Sequence, residues 1–296
     1  ALTDGAEVLV GPLLREQVEA FAELSTFAEV PRLVLNYLSP PGTTPAFAAD
    51  NLAQTSPLYQ FGIAIEDEIA SLASHVLLQG PERLLVVYSK ARWSQRAFDA
   101  YTQSWPHPVT PAEFADIKGL TGAIGEAMQV AASDTRKNQL ANILGTPLEF
   151  LPRARADIDG VVALTNQVEA RALVPALRFH FADQLPVYAT SQTLLGEELN
   201  RLEGFELTEM PLFGSPDEKL DKFSAAFELP ESPFAELYAL GYDAYRLATW
   251  LPILTPDSQV AMPAATGYLW LEPGGKFRRD LTVSRIGAEG SRTPVE

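Results

Sequence analysis

The sequence predicts an α/β fold of two lobes, each a mainly parallel sheet flanked by helices. Two observations carry that expectation. Apolar runs of strand length alternate with amphipathic repeats of helix length along most of the 296 residues, the order that builds parallel sheets with crossover helices. The clearest instance is residues 150–191, FLPRARADIDGVVALTNQVEARALVPALRFHFADQLPVYATS. There an apolar run (161–164) ends in Thr165-Asn166, and Ala170, Leu173, Val174, Leu177 and Phe181 follow at helical spacing. A second apolar run (186–189) then ends in Thr190-Ser191. Strand, helix and strand make a βαβ unit, and ligands of open α/β sheets sit beyond the carboxyl ends of such strands.

The remaining elements follow in chain order. Residues 7–10 (EVLV) read as a short strand closed by Gly11-Pro12, and Leu14, Val18, Phe21 and Ala22 mark a helix face. Residues 33–35 are the next strand, leading to Asn36-Tyr37, and 39–57 are loop by proline and glycine content. A strand over 59–65 precedes a helix with a face of Ile69, Leu72, Ala73 and Val76. Its opening acids, Glu66-Asp67-Glu68, complement the helix dipole rather than form a catalytic carboxylate pair. Gly80-Pro81 is taken as a lobe boundary. Residues 84–88 (LLVVY) have the all-apolar character of a central parallel strand. The helix after them carries Trp93, Ala97, Tyr101 and Trp105. A weak strand over 109–114 and one helix over about 120–144 precede the central βαβ unit.

Beyond it, 204–210 reads as a strand, 217–227 as a helix, and 234–251 as the most regular helix. Leu237, Gly241, Ala244, Ala248 and Leu251 there step by 4, 3, 4 and 3. Residues 268–271 and 281–286, on either side of Pro273-Gly274-Gly275, read as a hairpin. The expected lobes are therefore 1–80 with about 211–262, and 81–210 with about 263–296.

Composition excludes partners more than it names them. A formal charge of −16 is the wrong sign for a nucleic-acid footprint or for adsorption on an anionic membrane. Without cysteine, the chain has neither disulfides nor thiolate metal sites. No apolar run approaches the ~18–20 residues of a membrane span. The opening ALTDGAEVLVGPL has the pattern of a helix end running into a strand, so residues upstream of Ala1 are expected.

The sequence carries few signatures of catalytic chemistry. His75, His107 and His180 lie in separate elements, and no phosphate-binding loop, nucleophile elbow or zinc-protease motif is present. Gly119, Gly122 and Gly125 have the wrong spacing for a dinucleotide loop. Asp157 and Asp159 read as solvated or capping acids rather than metal ligands, Arg136-Lys137 and Arg153-x-Arg155 as solvated surface, and Trp93, Trp105 and Trp250 as core. An enzyme is disfavoured, and no cofactor or metal is implied. Strand-end placement makes Asn36, Ser39, Ser89, Thr165, Asn166 and Ser191 candidates for an interlobe cleft. Ordinary turn residues at strand ends are the equal alternative.

Specific blocks add a resemblance. VLVGPLLREQVEAF (8–21) and ALGYDAYRLA (239–248) look like units of the type I periplasmic-binding-protein superfamily. WSQRAFDAYTQSW (93–105), LANILGTPLEFLPRARADID (140–159), LPVYATS (185–191), LEGFELTEMP (202–211) and ATGYLWLEPGGKFRRDL (265–281) occur in an order that resembles the LppC family, also called LpoA, of penicillin-binding protein activators. Ala154 and Ala156 stand where that family tends to carry arginines, and Leu212 where a tryptophan commonly follows Met-Pro. The resemblance implies a periplasmic protein tethered to the outer membrane as a lipoprotein, whose lipidated cysteine and helical-repeat domain lie outside these residues. Its implied role is to bind and activate a class A penicillin-binding protein, the bifunctional peptidoglycan synthase. The runner-up is a receptor for an amino-acid-like small molecule, closing around the interlobe cleft.

Overall fold

The computed structural model describes residues 5–24, 30–38, 58–146, 155–195, 198–214, 217–229, 232–251, 253–254 and 261–295. Ser39, the rest of the 39–57 loop and residues 150–154 of the central stretch lie outside the described residues. The chain divides into two units: Ala1–Glu68 with Met210–Thr282, and Ile69–Glu209 with Val283–Glu296. The first division falls inside helix α2 (Ile65–Gln79) and not at Gly80-Pro81. Gly80, at φ +98°, ends that helix, so the glycine–proline signal marked a helix terminus.

Unit 1 holds a six-stranded sheet in the order β1 (Leu9–Val10), β2 (Arg32–Val34), β3 (Leu58–Gln60), β11 (Lys276–Asp280), β10 (Tyr268–Glu272), β9 (Met262–Pro263). The first three strands and β11 run parallel, and β11, β10 and β9 form an antiparallel meander. The expected lobe assignment of 263–282 is corrected by this sheet. So is the hairpin: β10 pairs with β11, whereas β12 (Thr282–Ile286) belongs to the other sheet. The charged sequence KFRRD hid β11. Its alternation is real, since Phe277 and Arg279 are buried and Arg278 is exposed, but one of its inward residues is an arginine. Gly275 lets the turn approach β3, because a Cβ there would lie 2.5 Å from Leu58 O.

Helices α1 (Arg15–Ala22), α7 (Pro211–Gly214), α8 (Glu218–Ala226) and α9 (Ala235–Trp250) complete unit 1. In α1, Val18 is buried but Leu14 is 62% exposed. The buried stripe of α9 is Ala235, Ala239, Leu240, Asp243, Ala244 and Leu247, and its apolar members join Leu33, Phe61, Leu269, Phe277 and Ala265 in the cores of this unit. That stripe is rotated from the expected one, leaving Leu237 and Gly241 exposed. Asp243 anchors it, accepting from the Ala265 and Thr266 amides at 2.8 and 2.7 Å.

Unit 2 holds a seven-stranded sheet in the order β13 (Arg292–Pro294), β12, β8 (Glu206–Glu209), β7 (Val187–Ala189), β6 (Gly160–Leu164), β4 (Leu84–Ser89), β5 (Thr110–Phe114). The five strands from β8 to β5 are parallel. Strands β6, β7 and β8 are buried along their whole length, as strands covered on both faces require. Helices α3 (Arg92–Ser104), α4 (Ile117–Ala127), α5 (Val130–Leu144) and α6 (Gln167–Phe179) connect them. The expected face of α2 holds, with Ile69, Leu72, Ala73 and Val76 buried. In α3 and its C-cap, Ala97, Tyr101 and Trp105 are buried but Trp93 only partly so; Trp250 of α9, expected in the core, is 42% exposed. In α6, Ala170, Leu173 and Leu177 are buried, but Phe181 falls past the helix end and is 56% exposed. The single helix expected over 120–144 is two, broken at Gln129 in a left-handed conformation (φ 54°). Gly125 has a packing role: a Cβ there would meet His180 Cε1 at 2.8 Å, and His180 Nε2 bonds Thr121 O at 2.8 Å.

Candidate functional site

Strand order locates the place in unit 2 where a ligand would ordinarily sit. Strand β4 passes through α3 to β5 on one side, and β6 lies on its other side. The chain therefore switches direction between β4 and β6, and the carboxyl ends at such a switch leave a crevice. Ser89 closes β4, and Thr165-Asn166 follows β6. The registers of β4 with β6 and of β6 with β7 align these strands, bringing Thr190-Ser191 after β7 to the same edge. Four of the six candidates, Ser89, Thr165, Asn166 and Ser191, thus share one sheet edge.

Internal bonds and unpaired hydroxyls meet at this edge. Ser94, Thr193 and the helix caps are bonded within the protein, whereas Ser89 Oγ, Thr165 Oγ1 and Thr190 Oγ1 are buried without a hydrogen-bond partner among the described residues. Ser94, from the first turn of α3, donates to Leu164 O at 2.6 Å and accepts from the Ser89 amide at 2.9 Å. One hydroxyl therefore spans the switch point. Thr193, in a single 3₁₀ turn (Ser191–Leu194), donates to Thr165 O at 3.0 Å. Ser89, Thr165 and Thr190 are 3%, 0% and 0% exposed, so solvent does not reach these hydroxyls. Asn166 caps α6 in a reciprocal capping box: its side chain accepts from the Glu169 amide and Glu169 returns to the Asn166 amide, both at 3.0 Å. The Asn-x-x-Glu spacing carried that signal in the sequence. Asp116 caps α4 through Gly119 at 3.0 Å. A concavity of about 550 Å³ lies among these ends, lined by Asp116, Ile117, Lys118, Asn166, Gln167, Val168, Glu169, Gln192 and Leu195. Free helix N-termini attract anions, but here Asp116, Asn166 and Glu169 already occupy amides of both helix starts.

Asn36 belongs to unit 1. Its Nδ2 donates to Leu13 O at 3.0 Å and its Oδ1 accepts from the Tyr37 amide at 2.9 Å, which fixes the turn after β2.

Sequence reasoning missed two buried ionic clusters. In unit 1, Asp67 (5% exposed) faces Arg279 (1% exposed) at 3.5 Å, and Tyr37 donates to it at 3.1 Å. Arg279 also donates to Ala64 O and Thr266 O. Burial raises the Asp67 carboxyl to about 6, against the opposing pull of Arg279. Asp67 lies in the first turn of α2, as expected, and is in addition a buried partner in the core. In unit 2, Glu206 holds His75 at 2.7 Å and pairs with Arg285. Burial opposes its ionisation, yet the hydrogen bonds from His75 and Arg285 prevail and keep it below the usual range. Asp157 pairs with Arg155 at 2.6 Å, and Asp159 accepts from the Glu82 and Arg83 amides. Among the described residues no group of three His, Cys, Asp or Glu could hold a metal ion, and no helix is long and apolar enough to cross a membrane.

The family described as LppC putative lipoprotein matches residues 1–287. The chain belongs to the LppC family. A relative from Photobacterium profundum, named penicillin-binding protein activator LpoA, is 25% identical to this LppC chain over 303 residues, covering 99% of the chain and 48% of the relative. The chain spans about half the length of the curated relatives it matches. Among solved structures, the LpoA (YraM) C-domain from Haemophilus influenzae, described as a regulator of PBP1A, superposes with a TM-score of 0.71 at 19% identity, covering 100% of this chain and 84% of that one. A Chromobacterium violaceum protein described as a putative branched-chain amino acid ABC transporter gives a TM-score of 0.69 at 25% identity, with 96% and 82% covered. The fold is therefore the expected α/β, periplasmic-binding-protein-like one.

Proposed function

We propose that this LppC chain is the part of a penicillin-binding protein activator that engages a class A penicillin-binding protein and stimulates its peptidoglycan synthesis without performing catalysis itself. The observation that carries the reading is the match of the LppC family over residues 1–287, together with relatives named as activators. On this reading the whole protein is a lipoprotein of the outer membrane facing the periplasm, with its anchor outside these residues. Activation is then a coupling free energy between partner binding and synthase turnover.

The internal bonding of the unit 2 switch point supports a protein-binding role. Ser94 and the two helix caps use donors and acceptors that a small polar ligand would need. The likeness to the Chromobacterium violaceum protein favours a second reading, a receptor for an amino-acid-like ligand. On that reading the ligand would sit beyond the unit 2 strand ends that carry Ser89, Thr165, Asn166 and Ser191.

A pull-down of purified class A synthase, with this chain beside the full-length protein, tests the first reading. Capture of the synthase by both is expected. Capture by the full-length protein alone would move the binding function outside this chain. A ligand-induced rise in melting temperature across a panel of amino acids would favour the receptor; a ligand at 100 times its Kd adds about 2.7 kcal/mol.

A further inference from the structure

Helix α9 carries two apolar stripes. One is the buried face already described. The other is Phe234, Tyr238, Tyr242 and Tyr245 at i, i+4, i+8 and i+11, of which Phe234, Tyr238 and Tyr245 are 61%, 42% and 74% exposed. A helix with one face in the core ordinarily turns polar residues outward. The rings continue onto α8: Phe227, itself 52% exposed, lies 5.4 Å from Tyr238, and Phe223 joins Phe227 and Tyr242 at 5.2 and 4.5 Å.

The strip ends in a pocket of about 330 Å³ whose lining includes Lys219, Tyr242, Arg246 and Tyr268. Its charges are uneven. Asp217 turns its carboxylate to the Lys219 and Leu220 amides. Asp243, 3.9 Å from Arg246, is spent on two backbone amides. Arg246 gives one N–H to Pro263 O and lies over the Tyr242 ring. The Lys219 ammonium makes no ion pair among the described residues. In a chain of charge −16, two incompletely matched cations beside exposed aromatic rings complement an apolar surface that carries a carboxylate.

We propose that the α8–α9 face of unit 1 is the docking surface for an extended apolar segment of the synthase, with an acidic side chain of that segment seated between Lys219 and Arg246. This rests on the activator reading and names the surface through which it operates. The chemistry fits a polypeptide. Tyrosine, phenylalanine and arginine are enriched in the cores of protein interfaces, where rings bury large areas at small entropic cost. From Phe234 to Tyr245 the stripe runs roughly 16 Å along the helix, the span of about five residues of extended chain.

The test uses the full-length protein and its purified cognate class A synthase in detergent. Phe227→Ser, Tyr238→Ser and Tyr245→Ser, all at exposed rings, and Lys219→Glu are each titrated beside wild type. Phe179→Ser, at a ring 69% exposed in unit 2, is the control. Circular dichroism and melting temperature verify folding. Loss of at least tenfold in affinity for the ring variants and for Lys219→Glu, with the control unchanged, is expected. Wild-type affinity in every variant would overturn the surface while leaving the activator reading intact. No binding by wild type would overturn the activator reading and the surface together. Loss of self-association, read by sedimentation, or of binding to purified glycan strands, with synthase affinity unchanged, would assign the strip to another occupant.

Discussion

The Ser94 hydroxyl donates to Leu164 O at 2.6 Å, tying the start of α3 to the end of β6 across the switch point of the unit 2 sheet. The same oxygen accepts from Ser89 N. Ser94 is wholly buried, so its removal leaves a carbonyl and an amide without their partner. Ser94→Ala is expected to cost about 1–3 kcal/mol, measured by urea denaturation. A cost below about 0.5 kcal/mol would mean that the tie carries no weight.

Asp67 gives unit 1 a pH dependence of defined sign. Its folded value of about 6 stands above the ordinary 3.8 because burial penalises the anion. The folded state therefore binds more protons than the unfolded state between pH 4 and 6, and this group's contribution to stability declines as pH rises through that window. At about 1.4 kcal/mol per unit the contribution is of the order of 3 kcal/mol. The difference in stability between wild type and Asp67→Asn, followed from pH 4 to 7, should fall by an amount of that order. A flat difference would contradict the assignment.

Glu206 works with the opposite sign. Held low by His75 and Arg285, it favours the folded state above the ordinary carboxylate range, and that gain is lost as pH falls through its folded value. Arg285 is half-exposed, so Arg285→Ala should cost only about 1–2 kcal/mol at pH 7. The cost should shrink in acid. An equal cost at pH 7 and pH 3 would show that Arg285 acts through packing alone.

Gly274 and Gly275 both have positive φ, but only at Gly275 would a Cβ collide with the backbone, 2.5 Å from Leu58 O. Gly274→Ala should cost about 1 kcal/mol from conformation alone. Gly275→Ala should cost at least about 2 kcal/mol more, because β11 must move off β3. Equal melting temperatures for the two variants would refute the close approach.

Legibility in the sequence followed the physics of each signal. Periodicity found α2, α3 and the buried part of α6, because those faces are made of consecutive apolar positions. It misplaced the stripe of α9, whose inward face includes Asp243, and it overlooked β11, whose inward face includes Arg279. Both are ionic residues buried through partners remote in sequence, which no local pattern reports. The edge holding Ser89, Thr165, Asn166 and Ser191 was legible as a place, since strand ends are marked by the change from apolar to polar. That Ser94 bridges the edge depends on the register of β4 with β6, a long-range fact. The Asn166 capping box is legible in the local Asn-x-x-Glu spacing, and it engages the side chain that strand-end placement alone assigns to a cleft.

The most direct measurement is the rate of glycan polymerisation and peptide crosslinking by the cognate class A synthase, with and without the full-length LppC protein. A rise in either rate that saturates with added protein is the expected result. Unchanged rates at concentrations where the two proteins demonstrably bind would contradict activation and leave only a binding partner.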